Sequence, residues 1–297
     1  MTAMRPSPLL PLLAVLLLAA CNDDPPAAGT GGEVKTPAST APSAPTSDDA
    51  PADGGSEQAA DEPLPPGETA PPAPAEPDAG LTFAHEPPGV LPAGQGAGYL
   101  DRTVWAPAMC WPLMEAGYPN SQVYGHGGGM GPGGGQCDGP NYALPWRDNF
   151  CEARSRANPL CGGSGTGHQG QDIRPATCKK NQHWAVAAEP GIITDIGSYT
   201  VTLVGSAAPH RTYRYLHMQM AALAVKEGDS VAAGQKLGKV ANDFGGAATT
   251  IHLHFEIRAG VAGVTTDGKP VALHTFLPPY LSLAQAYQRK LNGGTCG

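Results

Sequence analysis

Hydrophobic and polar residues alternate with a period of two through much of the second half of the chain. Three segments rich in β-branched and aromatic residues span 192–196, 200–204 and 212–217, and glycines separate them from their neighbours. Short runs of this kind, bounded by turn residues, are typical of β-strands. The pattern predicts a mainly β domain built from one antiparallel sheet.

A fourth segment, residues 251–257, alternates most strictly. Ile, Leu, Phe and Ile occupy one face of this segment, while His252, His254 and Glu256 occupy the other. Side chains two apart in a strand point the same way, so both imidazoles face one side and can line the floor of a groove. Helical patterns are scarce, and the best candidate is a short C-terminal helix at 281–291.

The first 20 residues have the pattern of a secretory signal. One basic residue, Arg5, precedes an apolar run at 9–18. This run is too short to cross a bilayer, which needs about 20 residues, and it matches the apolar core of a signal peptide. The segment ends in Leu-Ala-Ala followed by Cys21, which resembles the lipobox of bacterial lipoproteins. The resemblance implies an exported protein with a lipid anchor on Cys21, facing the periplasm or cell wall. An ordinary signal peptide with a chance cysteine is the alternative.

A linker follows the signal. Residues 22–80 contain 13 Pro, 12 acidic residues and one Lys, without a single aromatic residue. Such a segment cannot bury enough apolar surface to offset its ordering entropy, so we expect it to be disordered. We place the linker at 21–99, because Trp, Tyr and Cys become frequent from about residue 100. The remaining residues, 81–297, carry 16 basic and 14 acidic side chains and no basic run, which argues against nucleic-acid binding.

The cysteines indicate an oxidising compartment. With Cys21 assigned to lipid, six remain, and an even number in an exported chain predicts three disulfides whose pairing sequence cannot determine. These six are Cys110, Cys137, Cys151, Cys161, Cys178 and Cys296. Because no C-x-x-C occurs, a cysteine zinc cluster is not expected. We expect 100–164 to be a disulfide-rich loop region packed on a folded domain at 165–297.

Two histidine motifs carry the candidate chemistry. His168 lies four residues before Asp172, and His252 lies two before His254. Imidazole nitrogen and carboxylate oxygen are common zinc ligands, and a catalytic zinc site needs three of them with the fourth position open to water. Glycines at 165, 167 and 170 would let the backbone approach such a site. Each motif alone arises often by chance, so the combination carries the prediction.

Four blocks, in this order, resemble the lysostaphin/LytM-type peptidoglycan metallopeptidases. They are GHQGQDI at 167–173, YLHM at 215–218, VKEGDSVAAGQKLG at 225–238 and IHLHFEI at 251–257. The resemblance covers about residues 165–280 and implies a β domain with a narrow groove. By this resemblance, Zn²⁺ would be held by His168, Asp172 and His254. His217 and His252 would be catalytic, facing the attacking water and the scissile carbonyl.

The function implied by the resemblance is zinc-dependent hydrolysis of peptide bonds in peptidoglycan, in stem or cross-bridge peptides. Two alternatives remain: a non-catalytic wall-binding regulator of other cell-wall hydrolases, and a zinc peptidase that acts on protein substrates. The sequence departs from the family pattern at 174–184, an insert that carries Cys178 and has no assigned role. The bond that is cut and the oligomeric state also stay open.

Overall fold

The computed structural model describes residues 78–264, 270–294 and 296. The predicted signal, Cys21 and the predicted linker up to residue 77 lie outside the described residues. Within the described part of the chain, no helix has both the length and the apolar character needed to cross a membrane.

The described residues form twelve strands and one α-helix, together with three 3-10 turns. The strands are β1 (Gly117–Pro119), β2 (Gln171–Pro175), β3 (Trp184–Val186), β4 (Gly191–Ile196), β5 (Thr200–Gly205), β6 (Thr212–Leu216), β7 (Ser230–Val231), β8 (Lys236–Lys239), β9 (Asp243–Phe244), β10 (Ala247–Ala248), β11 (Leu253–Val264) and β12 (Pro270–Leu277). The helix is α1 (Tyr280–Leu291), and the turns are Gly139–Tyr142, Gly162–Ser164 and Met220–Ala222.

The main sheet is antiparallel and is organised around β11. Its order is β1-β2-β11-β6-β5-β4-β7. β11 pairs with β6 along one edge, and along the other edge it pairs first with β2 and then with β12. Two further pairs, β3–β8 and β9–β10, form separate two-stranded sheets. The mainly β, antiparallel fold with a C-terminal helix is therefore confirmed.

Strand positions follow the hydrophobic pattern closely. The segments predicted at 192–196, 200–204 and 212–217 are β4, β5 and β6 to within one residue at each end. β11 begins at Leu253, so His252 lies immediately before it. Both faces at the start of this strand are buried, since His254 and Glu256 are covered as fully as Leu253 and Phe255. The polar face is thus enclosed by loops, which strand alternation alone does not reveal.

The helix α1 packs on the rest of the domain through an aromatic cluster. It begins after two prolines, which cannot extend the preceding strand, and it ends with Arg289 and Lys290 in the last turn, where basic residues favour the helix dipole. Tyr287 on this helix packs against Trp111 and Trp146. The helix extends from 280 to 291, one residue longer than the sequence predicts.

The segment before residue 100 packs on the folded domain. Phe83 contacts Trp146 and Tyr287 with ring centroids 4.5 and 5.3 Å apart. The backbone N–H of Thr82 donates to the Gln288 side chain of α1 at 2.7 Å. The structure therefore differs from the predicted linker boundary at residue 99. The reason is that one well-placed Phe can anchor a segment whose average composition resembles a linker.

Three disulfides join the six cysteines, as the even count predicts. The pairs are Cys110–Cys296, Cys137–Cys178 and Cys151–Cys161. Cys110–Cys296 holds the C-terminus, and Cys137–Cys178 connects the Gly-rich loops to the 174–184 insert. Cys151–Cys161 closes a short loop, 151–161, and the backbone N–H of Cys151 donates to the His168 carbonyl.

Candidate metal centre and active site

Strand register brings the three predicted ligands together. Asp172 on β2 lies directly opposite His254 on β11. His168 lies in the loop that leads into β2, four residues before Asp172. All three side chains are buried and form the cluster that could hold a metal ion in the described part of the chain.

The distances within this cluster are short. Oδ1 of Asp172 lies 3.2 Å from Nε2 of His168 and 3.1 Å from Nδ1 of His254. The two imidazole nitrogens lie 2.9 Å apart. A zinc ion about 2.0–2.1 Å from each of three tetrahedral ligand atoms would place those atoms roughly 3.3 Å apart. The observed separations are therefore close to those of a zinc site.

Neighbouring hydrogen bonds fix which atoms face the centre. Nδ1 of His168 donates to the backbone carbonyl of Asn149 at 2.9 Å, so its Nε2 carries the lone pair. Nε2 of His254 donates to the Glu256 carboxylate at 3.0 Å, so its Nδ1 carries the lone pair. Asp172 Oδ1 is an acceptor as well. In this tautomeric state three electron-pair donors face one another, and the donor set fits Zn²⁺.

The two predicted catalytic histidines lie beside this cluster. The rings of His217 and His252 are 4.6 Å apart, and Nε2 of His252 lies 3.4 Å from Oδ1 of Asp172. Nδ1 of His217 donates to the Asp243 carbonyl at 2.8 Å, and Nδ1 of His252 donates to the Thr250 carbonyl at 2.9 Å. Each ring is thus anchored through Nδ1, and Nε2 is left for proton transfer.

The backbone at His217 is in a left-handed conformation. His217 follows β6 with φ of 69°, a value that residues other than glycine adopt rarely. Its N–H donates to the Tyr199 carbonyl and its carbonyl accepts from Ala241 N–H, which hold the conformation in place. Such strain is found mainly where a side chain must take a particular direction, and here the ring faces His252.

Burial and charge shift the pKa values of the cluster in opposite directions. Burial lowers the pKa of His168 to about 4, and burial together with the nearby His252 and His254 lowers the pKa of His217 well below its ordinary value. Burial acts to raise the pKa of Asp172, but the neighbouring His168 and His252 outweigh it and hold that pKa well below its usual range. Burial acts to lower the pKa of His254, but its hydrogen bonds to Asp172 and Glu256 outweigh burial and raise that pKa. Metal binding needs an ionised carboxylate and neutral imidazoles, so a cation at this centre would displace the proton of His254.

Comparison with known families agrees with this geometry. The model of peptidase family M23 matches residues 166–272. Residues 166–272, which match this family model, are called the M23 segment below. The match includes all five predicted site residues and confirms the resemblance drawn from the sequence motifs. No curated protein sequence shows significant similarity to the chain.

Solved structures similar to part of this chain include those of two peptidases. The catalytic domain of lysostaphin, the antimicrobial peptidase of Staphylococcus simulans, is 21% identical over 42% of this chain and 89% of that chain, with a TM-score of 0.28. Lysostaphin itself is 22% identical over 47% and 52%, with a TM-score of 0.31. A zinc containing peptidase from Vibrio cholerae is 23% identical over 39% and 32%, with a TM-score of 0.26.

The matched region therefore spans about half of intact lysostaphin and about a third of the Vibrio protein. At these TM-scores and identities the likeness carries no argument about function.

One residue outside the M23 segment contacts two of the candidate ligands. Asn149, which is buried, donates from Nδ2 to Oδ2 of Asp172 at 2.8 Å and accepts from His168 through its backbone carbonyl. The backbone N–H of Asp172 also donates to Oδ1 of Asn149 at 3.1 Å. The sequence offers no signal for Asn149, because it belongs to no motif and reaches the ligands only through loop packing.

Glu256 supports the third ligand. The alternation at 251–257 places it on the same strand face as His254, and the structure adds a contact that the pattern cannot show. Its second oxygen accepts from Arg214 on the neighbouring strand β6 at 2.6 Å. The buried Glu256 carboxylate thus lies between the candidate ligand His254 and the positive charge of Arg214. This contact orients the His254 ring.

A cleft opens over the cluster, and its lining includes residues of the loop 151–161 and of strand β9. Its lining includes all five predicted site residues. The other lining residues are Gln122, Arg154, Arg156, Gln169, Leu216, Phe244 and Thr249. The lining of the cleft therefore comes partly from the M23 segment and partly from residues that precede it.

Proposed function

We propose that the protein is a zinc-dependent endopeptidase that hydrolyses peptide bonds in peptidoglycan. The observation that carries the proposal is the set of three buried electron-pair donors, with two anchored histidines beside it at the base of a cleft. The match of residues 166–272 to the model of peptidase family M23 supports a peptidase. The lysostaphin/LytM-type motifs support peptidoglycan as the substrate.

His168, Asp172 and His254 would hold the metal. Zinc supplies Lewis acidity toward the scissile carbonyl and lowers the pKa of water to about 7. The chain supports this chemistry by orienting the His168 and His254 rings through Asn149 and Glu256, and the metal would replace the proton between His254 and Asp172.

His217 and His252 would move the protons. The depressed pKa of His217 keeps its ring neutral near pH 7, so that Nε2 can accept a proton from the attacking water. His252 lies within 4.6 Å of this ring, next to the Asp172 carboxylate, and can present a proton to the developing oxyanion or to the leaving amine. Burial of both rings limits exchange of these protons with bulk water.

Export and lipid anchoring belong to the same proposal. The signal pattern at 1–20 and the lipobox-like ending at Cys21 support delivery to the compartment that holds peptidoglycan. Three disulfides are in keeping with an oxidising compartment. Metabolic labelling with a fatty acid tests the anchor: wild type should be labelled, whereas Cys21→Ala should not.

Side-by-side digestion tests the substrate class. Zinc-loaded protein is incubated with purified sacculi, with a polyglycine peptide and with casein. Release of muropeptides, without comparable casein cleavage, is the expected result. Casein cleavage with intact sacculi would indicate a peptidase for proteins. Binding to sacculi without cleavage of any substrate would indicate the non-catalytic regulator.

A further inference from the structure

Two arginines of the loop 151–161 line the cleft beside the candidate ligands, and their surroundings differ. Arg154 is engaged within the loop itself. Its Nη2 lies 2.8 Å from the buried Glu152 carboxylate, and its Nη1 donates to the Ala153 carbonyl at 2.8 Å. The charge of Arg154 is therefore already paired.

Arg156 has no such pairing. Among the described residues, its guanidinium makes neither a hydrogen bond nor an ion pair, and its one recorded contact is with the ring of Phe244, 5.8 Å from the centroid. A guanidinium that lies over an aromatic face keeps its in-plane N–H donors free. Arg156 is half-buried and lines the cleft, so its guanidinium is only partly hydrated.

The cleft contains little negative charge to neutralise Arg156. Asp172 is the one acidic residue among the described lining residues, and its Oδ1 faces the metal cluster while its Oδ2 is bonded to Asn149. A metal ion would add further positive charge. The cleft therefore favours an anionic group on the substrate.

We propose that Arg156 binds a free carboxylate of the substrate peptide. This subsite rests on the proposed peptidase function and names the class of peptide that the site prefers. The guanidinium is the natural bidentate partner of a carboxylate, and Phe244 holds it in place. Phe244 also contacts His217, with ring centroids 5.4 Å apart, so the subsite adjoins the catalytic histidines.

The same contacts limit how far the carboxylate lies from the cut bond. The distances from Arg156 to Phe244 and from Phe244 to His217 place the guanidinium carbon no more than about 11 Å from the His217 ring. An extended peptide covers this span with about three residues at roughly 3.3 Å each. Peptides with an acidic residue within about three positions of the scissile bond should therefore be preferred, and uncharged polyglycine should be a poor substrate.

Matched muropeptides test the subsite. One preparation of cross-linked muropeptides keeps its free carboxylates, and the other has them converted to carboxamides. Zinc-loaded full-length wild type, Arg156→Ala and Arg147→Ala are compared for kcat and KM on both preparations. Arg147 is exposed and lies outside the cleft lining. Its replacement by Ala removes the same charge as Arg156→Ala, so this variant controls for net charge.

We expect wild type and Arg147→Ala to favour the free-carboxylate preparation by about 10- to 100-fold in kcat/KM, mainly through KM. Arg156→Ala should lose this preference, and circular dichroism together with its zinc content shows that the variant is folded. Retention of the preference by Arg156→Ala, or its absence in wild type, would overturn the subsite.

A binding measurement separates the subsite from the proposed function. If wild type cuts neither preparation, the affinities of both are measured by calorimetry for the same three proteins. Tighter binding of the free-carboxylate form that is lost in Arg156→Ala would support the subsite while the peptidase function fails. Equal binding of the two forms would reject the subsite as well.

Discussion

Single hydrogen bonds decide which nitrogen of each histidine faces the centre. His168 presents Nε2 because Nδ1 is held by the Asn149 carbonyl, and His254 presents Nδ1 because Nε2 is held by Glu256. The histidines and Asp172 could be found from the sequence, because their spacing recurs in a family. Asn149 could not, because the contact depends on how a loop folds over the sheet.

Asn149→Ala should weaken zinc binding about 10- to 100-fold, since it removes the amide that orients the Asp172 carboxylate. The affinity is measured by competition with a chromogenic chelator, and the fold is monitored by circular dichroism. Asn120→Ala is the matched control: the Asn120 side-chain amide donates to the Asn141 carbonyl, and the backbone bond from Asn120 N–H to the Asp172 carbonyl is kept in the variant. Wild-type affinity in Asn149→Ala would show that the contact is irrelevant to the metal.

At the scale of elements, the site depends on how closely β2 approaches β11. Gly170 lies just before β2, and a Cβ at this position would lie 2.4 Å from the Phe255 carbonyl and 3.0 Å from Nε2 of His254. Gly167 is similarly tight, with a Cβ 2.6 Å from the sulfur of Cys161. The sequence predicts that glycines let the backbone approach the metal site closely. At Gly167 and Gly170 the structure shows the atoms that leave no room for a Cβ.

Gly170→Ala should lower the free energy of unfolding by about 1–3 kcal/mol, because the backbone of β11 cannot move aside without disturbing its pairing. Zinc affinity should fall with it. Gly163→Ala serves as the control, since no atom lies within 4 Å of a Cβ at that position. The two variants are compared by urea denaturation, and equal stability would contradict the tight contact.

At the scale of the whole molecule, the folded unit is larger than the M23 segment. Residues 78–165 add the loop 151–161 with its Cys151–Cys161 disulfide, the partner Cys137 of Cys178 in the M23 segment, and the aromatic cluster around Trp146. Alternation and turn residues were sufficient to predict the central strands β4, β5 and β6 and the start of β11, because the two faces of these strands are encoded locally. The extent of the folded unit was not predictable, because Phe83 and its partners are far apart in sequence.

Phe83→Ala should destabilise the protein by about 2 kcal/mol, because a half-buried ring leaves the cluster of Trp146 and Tyr287. Val90→Ala removes an exposed apolar side chain from the same segment and should change little. Thermal unfolding of both variants tests whether this segment is part of the folded unit. If Phe83→Ala melts at the wild-type temperature, the segment contributes nothing to stability.

The central claim concerns the division of labour between ligands and catalytic histidines, and one paired measurement tests it most directly. Zinc content and muropeptide release from sacculi are measured for wild type, His168→Ala and His252→Ala. The account predicts one zinc per chain and muropeptide release for wild type, bound zinc without release for His252→Ala, and neither for His168→Ala. Wild type without zinc, or His168→Ala that retains both zinc and activity, would contradict it.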